Sequence, residues 1–208
     1  MTEPIGPGAF VAVVGASGVG KDALLSYARG RCGALARFPR RVITRPPGPG
    51  EDHEPVRDDQ FAAARDRGDF AVSWQAHGLC YGIRASADAE VRDGHVVVAN
   101  VSRGVIQELA ARYRRLVVVR VTVSEEVRGQ RLRARRREPQ AGIEQRLAHP
   151  DPAPGHRVDA VIQNDGSLAE GGTQLVRLIY MSRTISVLGR AQQISTWPSA
   201  GGSSGSGR

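Results

Sequence analysis

The sequence predicts an α/β fold in which a parallel sheet is flanked by helices, and three observations indicate it. The apolar run 10–14 leads into a glycine-rich segment and then into a helical pattern that starts at Asp22. Val-rich stretches at 95–100 and 116–123 alternate with helical patterns. A last short apolar stretch, 160–162, is followed by another helical pattern. Continuous apolar strands separated by helices are typical of a parallel sheet that is covered on both faces.

The first half of the chain predicts a smaller unit within the main sheet. Its elements are a strand region at 34–43, a short helix at 58–67 and short strands at 70–74 and 80–83. The segment from about 38 to 83 is rich in polar groups, so we expect a small inserted lobe that binds a substrate.

The length of 208 residues allows one domain, which we expect over 9–180. The later helices are predicted at 102–113, 124–137 and 168–180. The segment 181–208 is expected to be a tail whose end, nearly all Gly and Ser, is disordered.

A phosphate-binding loop is predicted between the first strand and the first helix, from the spacing G-x-x-x-x-G-K. The segment comprises Gly15, Ala16, Ser17, Gly18, Val19, Gly20, Lys21 and Asp22. Glycines let backbone N–H groups wrap a polyphosphate, and the helix N-terminus adds partial positive charge. Lys21 is the only lysine in a chain rich in arginine, which favours a catalytic role for its compact ammonium. The alternative is a glycine-rich turn that binds nothing.

Asp22 stands where this motif usually has a Ser or Thr whose hydroxyl binds Mg²⁺. A carboxylate can hold the ion directly or through its water shell, because hard cations prefer oxygen ligands. The alternative is that Asp22 only stabilises the helix dipole from the first turn. We expect Asp22 to take part in binding Mg²⁺.

An arginine-rich segment after the fourth strand is predicted to act as a lid over the nucleotide, at about 131–147. Arg128, Arg131 and Arg135 recur at helical spacing, and Arg146 follows further on. Closing of a lid excludes water and brings guanidinium groups to a transferring phosphate. We expect Arg131, Arg135 and Arg146 to be catalytic; the alternative is a solvated basic helix.

Composition narrows the function classes. A formal charge of +8 fits a polyanionic ligand. Cys32 and Cys80 lack the spacing of a zinc site. No stretch approaches a membrane span and residues 1–8 lack the parts of a signal peptide, so we expect a soluble, cytoplasmic protein. Nucleic-acid binding ranks last among the classes, since no nucleic-acid motif is present.

Several motifs in a fixed order resemble one enzyme family. They are the loop through Asp22, then Arg41-Val42-Ile43-Thr44-Arg45, Gly50-Glu51-Asp52-His53, the segment 74–83, Asn100-Val101-Ser102-Arg103, Arg131-Leu132 with Arg146-Leu147, and Asn164-Asp165-Gly166-Ser167-Leu168. Together, from about Val11 to Ile179, the chain resembles the ribose 1,5-bisphosphate phosphokinases. The resemblance implies the guanylate kinase fold and transfer of the ATP γ-phosphate to the sugar 1-phosphate, which gives 5-phosphoribosyl 1-diphosphate. It also implies a part in phosphonate breakdown.

The resemblance further implies site residues by position. For a bisphosphorylated sugar we expect guanidinium groups to clamp phosphate oxygens and other polar groups to bond hydroxyls. The clamping residues are Arg41, Arg45 and Arg103; the hydroxyl partners are His53, Tyr81 and Asn100; and Asn164 and Asp165 are expected near ATP.

Guanylate kinase is the nearest alternative, because the segments 44–51 and 77–82 resemble it as well. The glutamate with which guanylate kinases hold guanine falls at Val72, the first of their paired tyrosines at Cys80 and their terminal threonine at Ile83. A purine site that lacks its polar partners loses selectivity by orders of magnitude, which weighs against GMP. A non-catalytic module of the same fold also remains an alternative, although the intact phosphate loop disfavours it.

Overall fold

The computed structural model describes residues 3–48, 51–134 and 155–194, with side chains through 131 and through 183 in the last two ranges. Its strands within these ranges are β1 (Ala9–Val14), β2 (Ala36–Arg37), β3 (Arg41–Ile43), β4 (Glu54–Pro55), β5 (Phe70–Ala76), β6 (Leu79–Arg84), β7 (Val96–Asn100), β8 (Leu116–Thr122) and β9 (Ala160–Gln163). Its helices there are α1 (Lys21–Cys32), α2 (Asp58–Asp66), α3 (Ser86–Arg92), α4 (Ile106–Arg112), α5 (Glu125–Ala134) and α6 (Leu168–Ile194).

The main sheet is parallel, as the alternation of strands and helices predicts. Its strand order is β2-β7-β1-β8-β9. The chain builds the sheet to one side of β1 through β2 and β7, and then to the other side through β8 and β9. Ligands of open α/β sheets bind at the carboxyl ends of the strands where the connections change direction, so the expected site lies at the end of β1.

Alternate residues of β1 belong to the two cores that cover the sheet. Phe10 and its neighbours two positions on pack with Leu109 and Tyr113, from α4 and its end. Val11 lies in the other core, with Leu24 of α1 and Leu175 of α6. Strands buried on both faces explain the unbroken apolar runs of the sequence.

A buried polar group also ties the first of these cores together. Asp88 of α3 is 4% exposed and accepts a hydrogen bond from the hydroxyl of Tyr113 at 2.8 Å and another from Nε of Arg112 at 3.0 Å. Burial raises the pKa of Tyr113 above its ordinary value, so the hydroxyl stays protonated as the donor. The carboxylate of Asp88 thus connects α3 to the end of α4 through these hydrogen bonds.

A second, four-stranded sheet lies between residues 41 and 84, in the order β4-β3-β6-β5. We call this unit, with α2, the lobe. Antiparallel β5 and β6 turn tightly at His77 and Gly78, both with positive φ. The lobe has its own small core, in which Phe61 of α2 stacks on Phe70 of β5 at 4.7 Å between ring centroids.

Three parts of the structure differ from the sequence-based expectation. The strand region 34–43 divides into β2 in the main sheet and β3 in the lobe. Helix α3 follows β6 directly and was not predicted. Helix α6 continues to Ile194 instead of ending near Tyr180. Arg135, Arg146 and the segment 135–154 lie outside the described residues, so they remain predictions. None of the described helices is long and apolar enough to cross a membrane.

Candidate functional site

The phosphate loop is the turn between the carboxyl end of β1 and the start of α1. Gly15, Gly18 and Gly20 have φ values of +148°, +88° and +93°, a region that side chains rarely adopt. A Cβ at Gly15 would lie 2.4 Å from the carbonyl oxygen of Val121, because β8 passes directly beside the loop. Glycine is therefore required by both the backbone angles and the close approach of the neighbouring strand.

Lys21 folds back over this loop. Its Nζ donates hydrogen bonds to the carbonyl oxygens of Gly15 and Ala16, both at 2.8 Å. The ammonium therefore lies beside the main chain of the loop, close to where the sequence motif places phosphate groups.

Side chains near the carboxyl end of the main sheet form hydrogen bonds with the main chain of the phosphate loop. Asn164, buried after β9, donates from Nδ2 to the carbonyl oxygen of Val19 at 2.8 Å. Arg131 of α5 reaches the same carbonyl at 3.4 Å. Arg128, one turn earlier, donates from Nε to the carbonyl of Ser17 at 3.1 Å. Two arginines and an asparagine thus hold two carbonyl groups of the loop, those of Ser17 and Val19.

Positive charge is concentrated beside the phosphate loop, where Arg103 lies near Arg128. Burial lowers the pKa of Arg128, and the nearby guanidinium of Arg103 lowers it further. Two guanidinium groups held close together form an environment that favours an anion. Asp165 lies at the start of α5, where its Oδ1 accepts a hydrogen bond from the backbone N–H of Ser124 at 2.7 Å. It therefore positions the arginine-bearing helix.

Asp22 joins the loop to the lobe. Its Oδ1 accepts hydrogen bonds from Nδ2 of Asn100 at 2.9 Å and from Nη2 of Arg41 at 3.1 Å. Among the described residues, none donates a hydrogen bond to its Oδ2. The carboxylate is about half-exposed, so this second oxygen is open to a cation or to water. Three elements, α1, β7 and β3, meet at this one side chain.

A cavity of about 120 Å³ lies between α1 and the lobe. One face of α1 forms its floor, through Asp22, Leu25, Ser26 and Arg29. The remaining lining comes from the connection between β2 and β3, from the lobe and from the end of β7: Phe38, Pro39, Arg41, Glu51, Asp52, His53, Val98, Ala99 and Asn100. The cavity starts at the phosphate loop and carries arginine side chains and carboxylates along its length.

Arg45 and His53 are linked through Glu51. Arg45 donates from Nη1 to Oε2 of Glu51 at 2.6 Å, and this bond raises the pKa of the arginine. His53 is 2% exposed, and its Nε2 lies 3.0 Å from the carbonyl oxygen of Arg45. The histidine therefore holds the backbone of Arg45 while its ring forms part of the cavity wall.

The positions that correspond to guanine-binding groups are unsuited to a base. Val72 is 1% exposed and Ile83 is 0% exposed, and the two pair across β5 and β6 inside the apolar core. Cys80 has a half-buried thiol that accepts only a long 3.5 Å contact from Gln75 among the described residues. Tyr81 stacks on Trp74 with ring centroids 5.5 Å apart. This part of the lobe therefore offers packing where a purine site needs polar groups.

The structure brings the predicted site residues into two groups. Asp22, Arg41, His53 and Asn100 line one cavity. A second group surrounds the phosphate loop: Arg131 and Asn164 contact its main chain, Arg103 lies near Arg128, and Asp165 binds the start of α5. Arg45 and Tyr81 lie in the lobe outside the cavity lining.

Arg128 was not predicted as a site residue, although its helical spacing from Arg131 was a signal for it. Within the described residues no group of three or more His, Cys, Asp or Glu could hold a metal ion. Mg²⁺ is commonly bound by one or two carboxylates together with water and ligand phosphates, so a single carboxylate at Asp22 fits such a site.

The fold is similar to that of guanylate kinase from Anaplasma phagocytophilum, with a TM-score of 0.60 at 16% identity over 88% of this chain and 89% of that one. The fold and the phosphate loop define the class as a P-loop NTPase of guanylate-kinase-like architecture. A comparison with models of protein families finds no match.

Relatives of known name identify the family. The chain is 75% identical over 179 residues to ribose 1,5-bisphosphate phosphokinase PhnN of Pseudofrankia inefficax, covering 86% of this chain and 94% of that protein. It is 44% identical over 183 residues to the PhnN protein of Acidiphilium cryptum, covering 87% and 97%. The chain belongs to the ribose 1,5-bisphosphate phosphokinase family and is a kinase.

Proposed function

We propose that this protein transfers the γ-phosphoryl group of ATP to the 1-phosphate of ribose 1,5-bisphosphate, giving ADP and 5-phosphoribosyl 1-diphosphate. One observation of the structure carries the choice of substrate. The cavity beside the phosphate loop is lined by arginine, asparagine and histidine, whereas the guanine-binding positions Val72 and Ile83 are sealed in the core. A small bisphosphate fits that chemistry, and a purine nucleotide does not.

The transfer itself asks little of the protein beyond positioning and charge. An oxygen of the sugar 1-phosphate attacks the γ-phosphorus, and the bond from that phosphorus to the bridging oxygen of the β-phosphate breaks. The electron pair of that bond leaves with ADP. Because the attacking oxygen already belongs to an ionised phosphate near neutral pH, no side chain is needed to remove a proton from it.

The cationic groups around the loop would neutralise charge on the moving group. Lys21 can exchange its two carbonyl partners for phosphate oxygens, which are stronger acceptors because they are charged. Arg131 and Arg128 contact the loop main chain and can reach the same region, and Arg103 adds a third guanidinium. Arg135 and Arg146 would act from the lid, as their sequence positions predict.

Asp22 would hold Mg²⁺, whose charge would offset that of the polyphosphate. The residue fits this role, because its Oδ2 has no hydrogen bond from a described residue while Oδ1 is held by Asn100 and Arg41. Arg41 and Asn100 would therefore orient the carboxylate of Asp22, and they would also form part of the wall of the sugar site. Asn164 would keep the loop in shape through Val19.

The remaining predicted contacts would come from the lobe. Arg45, which Glu51 holds beside the cavity lining, would extend to the acceptor phosphate at the loop end of the cavity, near Asp22, with Tyr81 beside it. His53 would keep the backbone of Arg45 in place. We place the enzyme in the cytoplasm, where ATP is available, and its reaction would serve phosphonate breakdown and an accessory route to 5-phosphoribosyl 1-diphosphate.

The test is a coupled assay of ADP release with ATP and Mg²⁺. Ribose 1,5-bisphosphate should support turnover, whereas GMP should not. Ribose 5-phosphate serves as a control, since it offers a hydroxyl in place of the acceptor phosphate. Turnover with GMP and none with the bisphosphate would overturn the proposal in favour of guanylate kinase. Absence of turnover with both would favour a non-catalytic module.

A further inference from the structure

The far end of the cavity carries a carboxylate that is shared by two arginines. Asp52 of the lobe accepts a hydrogen bond at Oδ2 from Nη1 of Arg29 at 2.7 Å. Its Oδ1 lies 2.8 Å from Nε of Arg40. Arg29 belongs to α1, whereas Arg40 precedes β3 of the lobe, so guanidinium groups from two parts of the fold bind the two oxygens of one carboxylate.

The position of Arg29 along α1 relates this cluster to the phosphate loop. Asp22, Leu25, Ser26 and Arg29 have the spacing i, i+3, i+4 and i+7, so they lie on one face of the helix. At a rise of 1.5 Å per residue, Asp22 and Arg29 are about 10 Å apart along the helix axis. The cavity floor thus has Asp22 with Arg41 at the loop end and Arg29 with Asp52 at the far end.

A sugar that carries a phosphate at each end would lie along this floor in one direction. Its acceptor phosphate has to be at the loop end, because the donor nucleotide binds there. Its second phosphate would then point down α1, towards Arg29. This reasoning rests on the proposed function.

We propose that Arg29 and Arg40 form the subsite for the second, non-reacting phosphate of the substrate, and that Asp52 occupies this subsite until the phosphate displaces it. Neither arginine was among the residues expected from the sequence to bind the substrate. They determine specificity, because a sugar without the second phosphate leaves Asp52 in place.

Displacement of Asp52 by a phosphate should cost little free energy. Arg29, Arg40 and Asp52 have side chains that are 47%, 54% and 54% exposed, and exposed ion pairs contribute little to stability. A phosphate dianion carries more charge and more acceptor oxygens than a carboxylate, and it matches the forked geometry of arginine. Asp52 can turn into solvent when it leaves. Arg40 retains a second anchor, a hydrogen bond from Nη2 to the carbonyl oxygen of His53 at 2.8 Å.

Substitution of the two partners of this ion pair should change KM for the bisphosphate in opposite directions. An ion pair with only a structural role would not give opposite changes. Arg29→Gln should raise KM for ribose 1,5-bisphosphate about tenfold, the loss expected for one charge-assisted hydrogen bond, with kcat within about twofold. Asp52→Asn should lower that KM about threefold or more, because the competing anion is gone. Inhibition by ribose 5-phosphate, which carries only this phosphate, should weaken in the first variant and strengthen in the second.

A matched pair of control variants is available in the lobe. Arg57 and Asp59 form an exposed ion pair at 3.1 Å that does not line the cavity. Arg57→Gln and Asp59→Asn should leave every constant unchanged, and KM for ATP should be unchanged in all four variants. An increase of KM in Asp52→Asn, or an unchanged KM in Arg29→Gln, would overturn the subsite. Failure of the wild-type protein to use the bisphosphate would instead overturn the proposed function.

Discussion

Replacement of Lys21 by Ala tests the catalytic proposal most directly, because the chain has no other lysine. The substitution should have one effect on the stability of the fold and a separate effect on the reaction. For the fold, the variant loses two hydrogen bonds of 2.8 Å to the carbonyls of Gly15 and Ala16. Both residues are partly exposed, so water can replace the ammonium, and we expect the free energy of unfolding to fall by only about 1 kcal/mol.

For the reaction, the loss should be far larger. Removal of one preorganised group that stabilises developing charge costs about 100- to 1000-fold in kcat. ADP release from ATP and saturating ribose 1,5-bisphosphate measures this, and urea unfolding of the same preparation measures stability. Arg57→Ala, which removes an exposed cation of the lobe, is the control and should keep full activity. A folded Lys21→Ala variant with kcat within tenfold of wild type would refute the reasoning.

Three further predictions concern the loop, the core and pH. Gly20→Ala should cost about 1–3 kcal/mol of unfolding free energy and raise KM for ATP, because φ is +93° and the new Cβ would lie 2.6 Å from Nδ2 of Asn164; urea unfolding and kinetics check this. Tyr113→Phe should lower the unfolding free energy by about 1–2 kcal/mol and leave kcat unchanged, since Asp88 loses a buried donor. The hydrogen bond from Arg29 lowers the pKa of Asp52 below its ordinary value, so its stabilising effect is present above about pH 3.9 and disappears as pH falls through the folded-state pKa. The difference in urea-unfolding midpoint between wild type and Asp52→Asn should therefore vanish in strong acid; a gap that persists there would contradict this assignment.

The features that the sequence predicted well are those with a local signal. The phosphate loop is visible because glycines at fixed spacing are needed where β1 turns into α1, and the structure places positive φ at three of them. The parallel sheet is visible because strands that are covered on both faces become unbroken apolar runs. Neither inference requires knowledge of which distant residues meet.

The features that the sequence did not reveal depend on contacts between distant segments. The hydrogen bond from Asn164 to Val19 and the ion pair between Arg29 and Asp52 join residues far apart in the chain. The sequence contains many arginines, and their spacing does not indicate which of them forms a given long-range hydrogen bond or ion pair. Segment 34–43 misled for a similar reason, because a two-residue strand carries too little pattern to reveal that the chain changes sheets.

A single lysine has a practical consequence for anyone who handles this enzyme. Amine-selective acylating reagents would find one side chain to modify, apart from the chain terminus, and that side chain lies within the phosphate loop. Occupancy of the loop by nucleotide would shield it, so the extent of labelling would report directly on ligand binding. Because the chain has one lysine, a preparation with isotope-labelled lysine would give one lysine signal, and that signal would report on the phosphate loop.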